Sequence, residues 1–410
     1  AVTATRQAYR GDFEPREVPQ AELRIDATAL RDAGATDLDQ ALDLSASVAR
    51  QNNFGGLWNS FAVRGFIGDE TLPSNYLVNG FNAGRGFGGP RDLSGIESVE
   101  VLKGPRAALF GRGEPGGTIN LVSKRPTFEH AGEVRIGAGR FDAWRAEVDW
   151  TAPIGEAVAV RLVGFHADAE SFRDTLETRR RGASPSLAVR FSDATRLVYE
   201  LEYSAQELPF DRGVVAINGD LGALPIGRFL GEPGDGPIRT RVLGHQLELQ
   251  HDFSADWSGL VGFTHRDTSL EGFSTEAELA VNRQRLFVDG RTLSRQRRFR
   301  DYDATYRVVR AEVTGRFEFA GMEHRLLFGA DSDQFENDQV FLRARGPTLA
   351  SNPSLAQSQA IDVFNPVYGR FPLPTPAPLT DRLETQESDG LFLQYHVGLT
   401  ERLDLRAGLR

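Results

Sequence analysis

From about residue 132 onward, apolar and polar side chains alternate with period two, the pattern of strands with two unlike faces. Residues 195–204 set Leu197, Tyr199, Leu201 and Tyr203 against Arg196, Glu200, Glu202 and Ser204. Residues 242–253 oppose Leu243, Leu247, Leu249 and Phe253 to Gln246, Glu248, Gln250 and Asp252, and residues 308–318 oppose Val309, Val313 and Phe317 to Arg310, Glu312, Arg316 and Glu318. The alternation predicts strands over 133–138, 143–151, 157–169, 183–191, 195–207, 241–253, 257–269, 303–318, 323–340, 384–399 and 403–410.

The connections differ by end. Segments 152–156, 192–194, 254–256, 319–323 and 400–402 read as tight turns, whereas 170–182, 208–240, 270–302 and 341–383 read as long loops. A soluble sandwich has no reason to separate short from long connections in this way. A transmembrane barrel does, with short periplasmic turns and long external loops. Trp150, Phe191, Phe253, Trp257 and Phe317 fall beside the short turns, where an interfacial aromatic girdle belongs. Eleven strands cannot close in the usual even-numbered way, so the expectation is roughly half of a barrel of about 22 strands.

Before residue 130 the pattern breaks into short elements. Asp26 is placed to cap a helix over 27–33 that Gly34 ends, and Thr36 with Asp39 suggests a capping box opening a second helix through Leu44. Residues 97–103 read as a strand with Val99 and Val101 on one face. After it come a turn at Lys103-Gly104-Pro105, a short helix to Phe110, a Gly-rich loop over 111–117 and a returning strand over 118–123. The expected architecture is therefore an all-β membrane protein: a transmembrane antiparallel β-barrel over 131–410 preceded by a separate N-terminal α+β domain over 14–130.

Composition narrows this picture without changing it. The 410 residues are 40% hydrophobic and 25% charged, and no run approaches the roughly 18 apolar residues a spanning helix needs. A barrel leaves hydropathy in the range of soluble proteins, so composition does not separate the two. Cysteine is absent, which removes disulfides and thiolate chemistry. A net charge of −10 disfavours nucleic acid as a partner. Arg179, Arg180 and Arg181, and the arginines between 295 and 300, read as solvated loop charges. With no charged-then-apolar segment ahead of Ala1, the chain reads as a mature or trimmed form if it is exported.

No enzyme motif survives inspection. In 111–118 Gly117 stands where a phosphate loop needs Lys, and Gly137-Ala138-Gly139 lacks a third glycine. His130, His166, His245, His251, His265, His324 and His396 show no metal-ligand spacing, so no metal site and no cofactor are expected.

The segment Val99-Glu100-Val101-Leu102-Lys103-Gly104-Pro105, with Ala108 to Asn120 after it, resembles the plug of TonB-dependent receptors. So do Val63-Arg64-Gly65-Phe66, Tyr76-Leu77-Val78-Asn79-Gly80 and Val122-Ser123-Lys124-Arg125-Pro126, in that family's order. The resemblance implies an outer-membrane receptor of a Gram-negative bacterium, a monomer bedded in lipid, that imports a ligand with energy from the periplasmic protein TonB. The wording of 104–126, and of Phe210-Asp211-Arg212-Gly213 with Pro225 to Pro233, is similar to ferric-siderophore receptors, so the ligand expected is an iron chelate. Another metal chelate, a peptide or a carbohydrate is the alternative. A passive porin or an outer-membrane enzyme is the rival class, and neither carries such a plug.

Site residues follow from the same resemblance. Residues 1–13 are the expected end of the TonB-coupling segment, with Val2, Thr3, Ala4 and Thr5 pairing as an added strand. Glu100, Lys103, Arg106 and Arg112 are candidates to latch the plug to inward Glu147, Glu200, Glu202, Glu248 and Glu312. Ligand contacts are expected from Trp58, Arg64, Phe81, Gly84, Arg85, Phe87 and Arg91, because aromatic rings and Arg on Gly-rich loops suit an anionic or catecholate chelate. Arg64 can be structural or ligand-facing.

Overall fold

The computed structural model describes residues 21–68, 72–104, 115–400 and 403–410. The TonB-coupling candidates Val2, Thr3, Ala4 and Thr5, and the latch candidates Arg106 and Arg112, lie outside the described residues.

The plug is built on β1 (Glu22–Asp26), α1 (Ala27–Asp32), α2 (Leu38–Leu42), β2 (Val48–Arg50), β3 (Phe61–Val63), β4 (Leu77–Val78), β5 (Phe81–Asn82), β6 (Ile96–Lys103) and β7 (Gly117–Ser123). Its main sheet runs β1-β6-β7-β4-β5, and β2 pairs with β3. Asp26 caps α1 as expected, its Oδ1 accepting from the Ala29 N–H at 2.8 Å. The second cap sits one residue further on than expected. Asp37 is the N-cap, accepting from Gln40 N–H at 3.0 Å, while Gln40 reaches back to the Thr36 N–H at 2.7 Å. Asp39 is thereby freed from capping and turns inward. Strand β6 buries both faces, Ser98 and Glu100 as well as Val99 and Val101, because α1 and α2 cover one side of the plug sheet and the barrel wall the other.

The wall is one antiparallel sheet of eleven strands joined in chain order. It comprises β8 (Ala131–Ala138), β9 (Trp144–Ile154), β10 (Val158–Glu170), β11 (Glu177–Arg190), β12 (Thr195–Leu208), β13 (Ile238–Asp252), β14 (Trp257–Ala277), β16 (Arg295–Phe319), β17 (Met322–Arg345), β19 (Ala377–Thr400) and β20 (Leu403–Leu409). Two short strands, β15 (Thr292–Leu293) and β18 (Ile361–Asp362), pair with each other in the loops. Outward positions near the tight turns carry a continuous exposed apolar band, including Leu162, Leu247, Val261, Phe263, Val309, Val313 and Phe328. Such a band on a sheet whose inner face is polar is the lipid-facing surface of a barrel. Trp150, Phe191, Phe253 and Phe317 project outward at its lower edge, and Trp257 stacks on Phe317.

Several expected loops prove to be strand. β14 continues to Ala277, β16 starts at Arg295, β17 reaches Arg345 and β19 starts at Ala377, and only six residues separate β10 from β11. Above the apolar band both faces of the wall are polar, so the alternation that betrays a strand disappears while its hydrogen-bond ladder goes on. The arginine runs expected in solvated loops lie in these extensions. Arg179 to Arg181 sit in β11, and Arg295 and Arg300 in β16 are only 3% and 2% exposed.

Candidate functional site

The plug meets the wall at two levels of different chemistry. At the lower level, paired charges fasten it. Arg91 donates to Glu202 at 2.5 Å, and Arg266 of β14 donates to the other oxygen of Glu202 at 2.6 Å. Asp92 takes both terminal nitrogens of Arg145 at 3.0 Å each. Lys124 reaches Asp149 at 2.8 Å, and Arg125 reaches Glu248 at 2.9 Å with Glu200 at 3.5 Å. Ser123 and Asn79 donate to Glu200 at 2.6 and 3.2 Å. Burial works against the charge on Arg91, yet the neighbouring Glu202 carboxylate outweighs it and raises the guanidinium pKa.

Three of the five inward carboxylates named from the sequence, Glu200, Glu202 and Glu248, thus face plug donors, but these donors are not the ones expected. Glu100 stays inside the plug, where Asn120 donates to it at 2.7 Å. Lys103 is half-buried at the end of β6, its backbone N–H donating to Ala21. Arg91, expected to touch ligand, is instead part of the fastening. The signal in the sequence was the run of polar residues closing the plug, Ser123-Lys124-Arg125, directly before the first barrel strand.

Among these ion pairs, glycines let the plug approach the wall. A Cβ on Gly262 would lie 2.3 Å from the Phe81 ring, and Phe81, 1% exposed, packs on Tyr306, Val308 and Phe335 with Arg310 over its face. Gly84 has no room for a side chain, since its Cβ would meet the Tyr76 nitrogen at 2.4 Å. Arg85 points into the lumen over the rings of Tyr306 and Phe335 and approaches Gln386 at 3.5 Å. Phe81 and Gly84, expected to meet ligand, are packing positions in this structure.

The upper level is a cavity of about 760 Å³ between the plug apex and the external connections. Asp37, Asp39, Arg50, Asn52, Asn53, Gly55 and Gly56 line it from the plug, and Arg173, Arg180, Phe210, Asp211, Arg212 and Glu276 from the wall and loops. The apical turn that carries the plug residues holds Phe54 at φ +53°, Gly55 at +71° and Gly56 at +89°, a left-handed path that presents the loop edge-on to Asp211. Under it, Phe54 stacks on Trp58 at 4.7 Å, and tilted ring contacts continue the row from Trp58 to Phe87 at 5.9 Å and from Phe87 to Tyr302 at 5.0 Å. Trp58 and Phe87, both 2% exposed, form the bed beneath the cavity rather than its surface. Arg64 lies at the end of β3 away from the apical turn, exposed at φ +53°, with its N–H donating to Ser47 at 2.7 Å. That position places it apart from the cavity.

Asp39 links the levels. Its carboxylate accepts from Asn59 at 2.8 Å, and Asn59 accepts from the Arg91 backbone N–H at 2.7 Å. Burial is the largest influence on Asp39 and lifts its pKa to about 6, against the pull of the Asn59 hydrogen bond. Among the described residues no group of three or more His, Asp or Glu side chains is arranged to hold a metal ion.

Comparison with known proteins places this geometry. The TonB-dependent receptor plug domain family matches residues 14–118, and the TonB-dependent receptor-like β-barrel family matches residues 182–410. The metal-pseudopaline receptor of Pseudomonas aeruginosa is 34% identical over 391 residues, covering 95% of this chain and 52% of that protein. The ferrioxamine receptor of Yersinia enterocolitica is 24% identical, covering 98% of this chain and 57% of that protein. The chain thus spans about half the length of the curated relatives it matches. Among solved structures, the closed form of the ferric-catecholate import receptor Fiu from E. coli aligns with a TM-score of 0.82 at 20% identity over 95% of this chain and 56% of that one. The siderophore receptor PiuA from Acinetobacter baumannii aligns at 0.80 and 19%, over 95% and 57%. These relatives are transport receptors rather than enzymes, and the chain, with a plug held inside a lipid-banded antiparallel wall, belongs to the TonB-dependent receptors.

Proposed function

We propose that this chain supplies the plug and eleven wall strands of an importer that carries a metal chelate, a ferric siderophore foremost, across the outer membrane of a Gram-negative bacterium. The observation that carries the reading is the apical cavity of about 760 Å³, a volume suited to one chelate. Below it the lumen is filled by a plug fastened through buried ion pairs, so the ligand enters from outside and leaves only when the plug yields. The relatives, which include metal-pseudopaline, ferrioxamine and ferripyoverdine receptors, support chelates as the ligand class. The metal-pseudopaline relative at 34% identity keeps chelates of metals other than iron as the second reading.

Because the outer membrane holds no energy source of its own, moving the plug requires TonB, and residues 2–5 are our candidates for its docking strand. The unit works as a monomer with the apolar band in lipid. Ligand contacts fall to Asn52, Asn53, Arg50, Phe210 and Arg212 at the cavity surface, with Arg85 met later along the lumen.

Uptake of radiolabelled ferric and nickel chelates by cells whose other receptors are deleted, carrying the full-length receptor, tests the proposal. Accumulation that stops when the protonmotive force is collapsed, or when TonB is removed, is expected. Accumulation that continues in either condition identifies a passive pore and overturns it.

A further inference from the structure

Above the apolar band three long connections, 209–237, 278–294 and 346–376, meet on a core of their own. Ile217, Leu224 and Leu230 come from the first, Leu293 from the second, and Ile361 and Val363 from the third, all of them buried. Long connections inside a fold are either loose or held for a purpose, and these are held. β15 of the second pairs with β18 of the third. The Val363 N–H donates to the Arg291 carbonyl at 2.9 Å, and the Leu349 N–H to the Asn282 carbonyl at 2.9 Å. The Tyr368 hydroxyl of the third donates to the Phe229 carbonyl of the first, also at 2.9 Å.

One side chain ties this assembly to the wall. Arg295, the first residue of β16, is 3% exposed, and each of its three guanidinium nitrogens donates to a group on a connection. Nε reaches the Gln359 carbonyl at 2.7 Å, Nη1 the Gly231 carbonyl at 2.5 Å and Nη2 the Glu232 carboxylate at 3.2 Å. Its backbone N–H donates to Ser358 at 2.9 Å. The other oxygen of Glu232 accepts from the Gly369 N–H at 3.0 Å, which closes the circuit between the first and third connections. A planar guanidinium offers donors along three edges in fixed geometry, and a lysine ammonium does not. Releasing any of these partners leaves a charge or a carbonyl unpaired out of water, so they hold or fail together.

The assembly backs the cavity. Gly231, whose carbonyl Arg295 holds, lines it, and so do Val214, Val215 and Leu230, which pack into the connection core. We infer that Arg295 is a positioning residue that joins the three connections into one cooperative unit, so that this side of the cavity is formed before a ligand arrives and keeps its shape when one enters. Such a wall spares the ligand the entropy of ordering the connections. The inference deepens the reading of the cavity as the chelate site and rests on it.

Hydrogen exchange of the full-length receptor, with no ligand added, tests the unit. Residues 217–237, 282–294 and 358–369 are expected to exchange slowly, and to lose protection together by about a hundredfold in Arg295→Gln while strands β10 to β13 keep theirs. Ile361→Ala enters the same core from the third connection and is expected to loosen the first and second as well. Fast exchange of these segments in wild type, or a loss confined to one connection in either variant, overturns the unit. A staple then tests whether the connections must part. Thr292 faces Asp362 across the pair of β15 and β18, and the chain contains no cysteine, so Thr292→Cys with Asp362→Cys makes a single disulfide. Cells carrying the stapled receptor are expected to accumulate radiolabelled ferric citrate, ferrioxamine B or nickel citrate at the wild-type rate. Uptake lost on oxidation and regained with reductant overturns the preformed wall and leaves chelate import standing. Wild-type cells that accumulate none of the three overturn the import reading, and the exchange pattern still decides whether the unit exists.

Discussion

Arginine crowds both the lower lumen and the vestibule, but it is used in opposite ways. In the lower lumen guanidinium and carboxylate are matched across the contact of plug and wall: Arg91 with Glu202, Arg125 with Glu248, and Arg145 of the wall with Asp92 of the plug. In the vestibule three arginines share Glu276, and two face each other across a ladder. Charge that is paired out of water holds parts in one arrangement, since separating the partners leaves each uncompensated. Charge in surplus beside a cavity is available to something that arrives. The contrast separates a level of matched charges from a level of shared ones without reference to any relative.

The comparison breaks most visibly at Glu202. Its removal in Glu202→Ala leaves Arg91 and Arg266, with side chains 10% and 9% exposed, without their carboxylate. A loss of about 3–5 kcal/mol in plug docking is expected. Protease cleavage of the plug and leakage of a bulky antibiotic into cells report it, and wild-type behaviour in both would mean that the lower pairs do not fasten the plug.

A neutral contact in the same layer as the lower ion pairs gives the next effect. Gly262→Val drives a Cβ to 2.3 Å from the Phe81 ring, at an expected cost of about 3 kcal/mol from overpacking. The urea midpoint of the purified receptor should fall, and Phe81→Ala in the same background should recover part of the loss. Additive losses in the double variant would show that the two side chains do not meet.

The smallest effect concerns Asp39, where the levels join. Its pKa is raised in the folded state, so its contribution is fully present below the unfolded value near 4 and disappears as pH rises through about 6. The plug should therefore gain stability as pH falls from 7 toward 4. Asp39→Asn should flatten that dependence and raise stability at pH 7 by about 2 kcal/mol, read from urea midpoints across the range. A wild-type midpoint independent of pH between 4 and 7 would remove Asp39 from this role.

The sequence made the barrel legible wherever lipid dictated it. Leu197, Leu247, Val261, Val309 and Phe328 must face hydrocarbon, and the polar residues between them must not, so the period of two is written in the order of the residues. It ceased to be legible above the membrane, where Arg298, Arg300 and Arg343 sit in strands that look like loops. The candidate site was legible only in part. Phe54, Trp58, Phe87 and Arg212 do converge on one region, but the sequence offered no way to tell the bed from the surface, and it missed Arg50, Asn52 and Glu276.

What this sequence determined alone is everything governed by local pattern: the strands of the lipid band, the tight turns, the Asp26 cap, and the ordered plug motifs. Tertiary structure decided which charges meet. Glu202 and Arg91 are separated by more than a hundred residues, as are Asn79 and Glu200, and their pairing depends on where the wall curves around the plug. The same holds for the surplus in the vestibule. Arg298 and Arg343 are unremarkable in the chain and become unusual only when the register sets them face to face, because electrostatic energy depends on distance in space and not along the sequence.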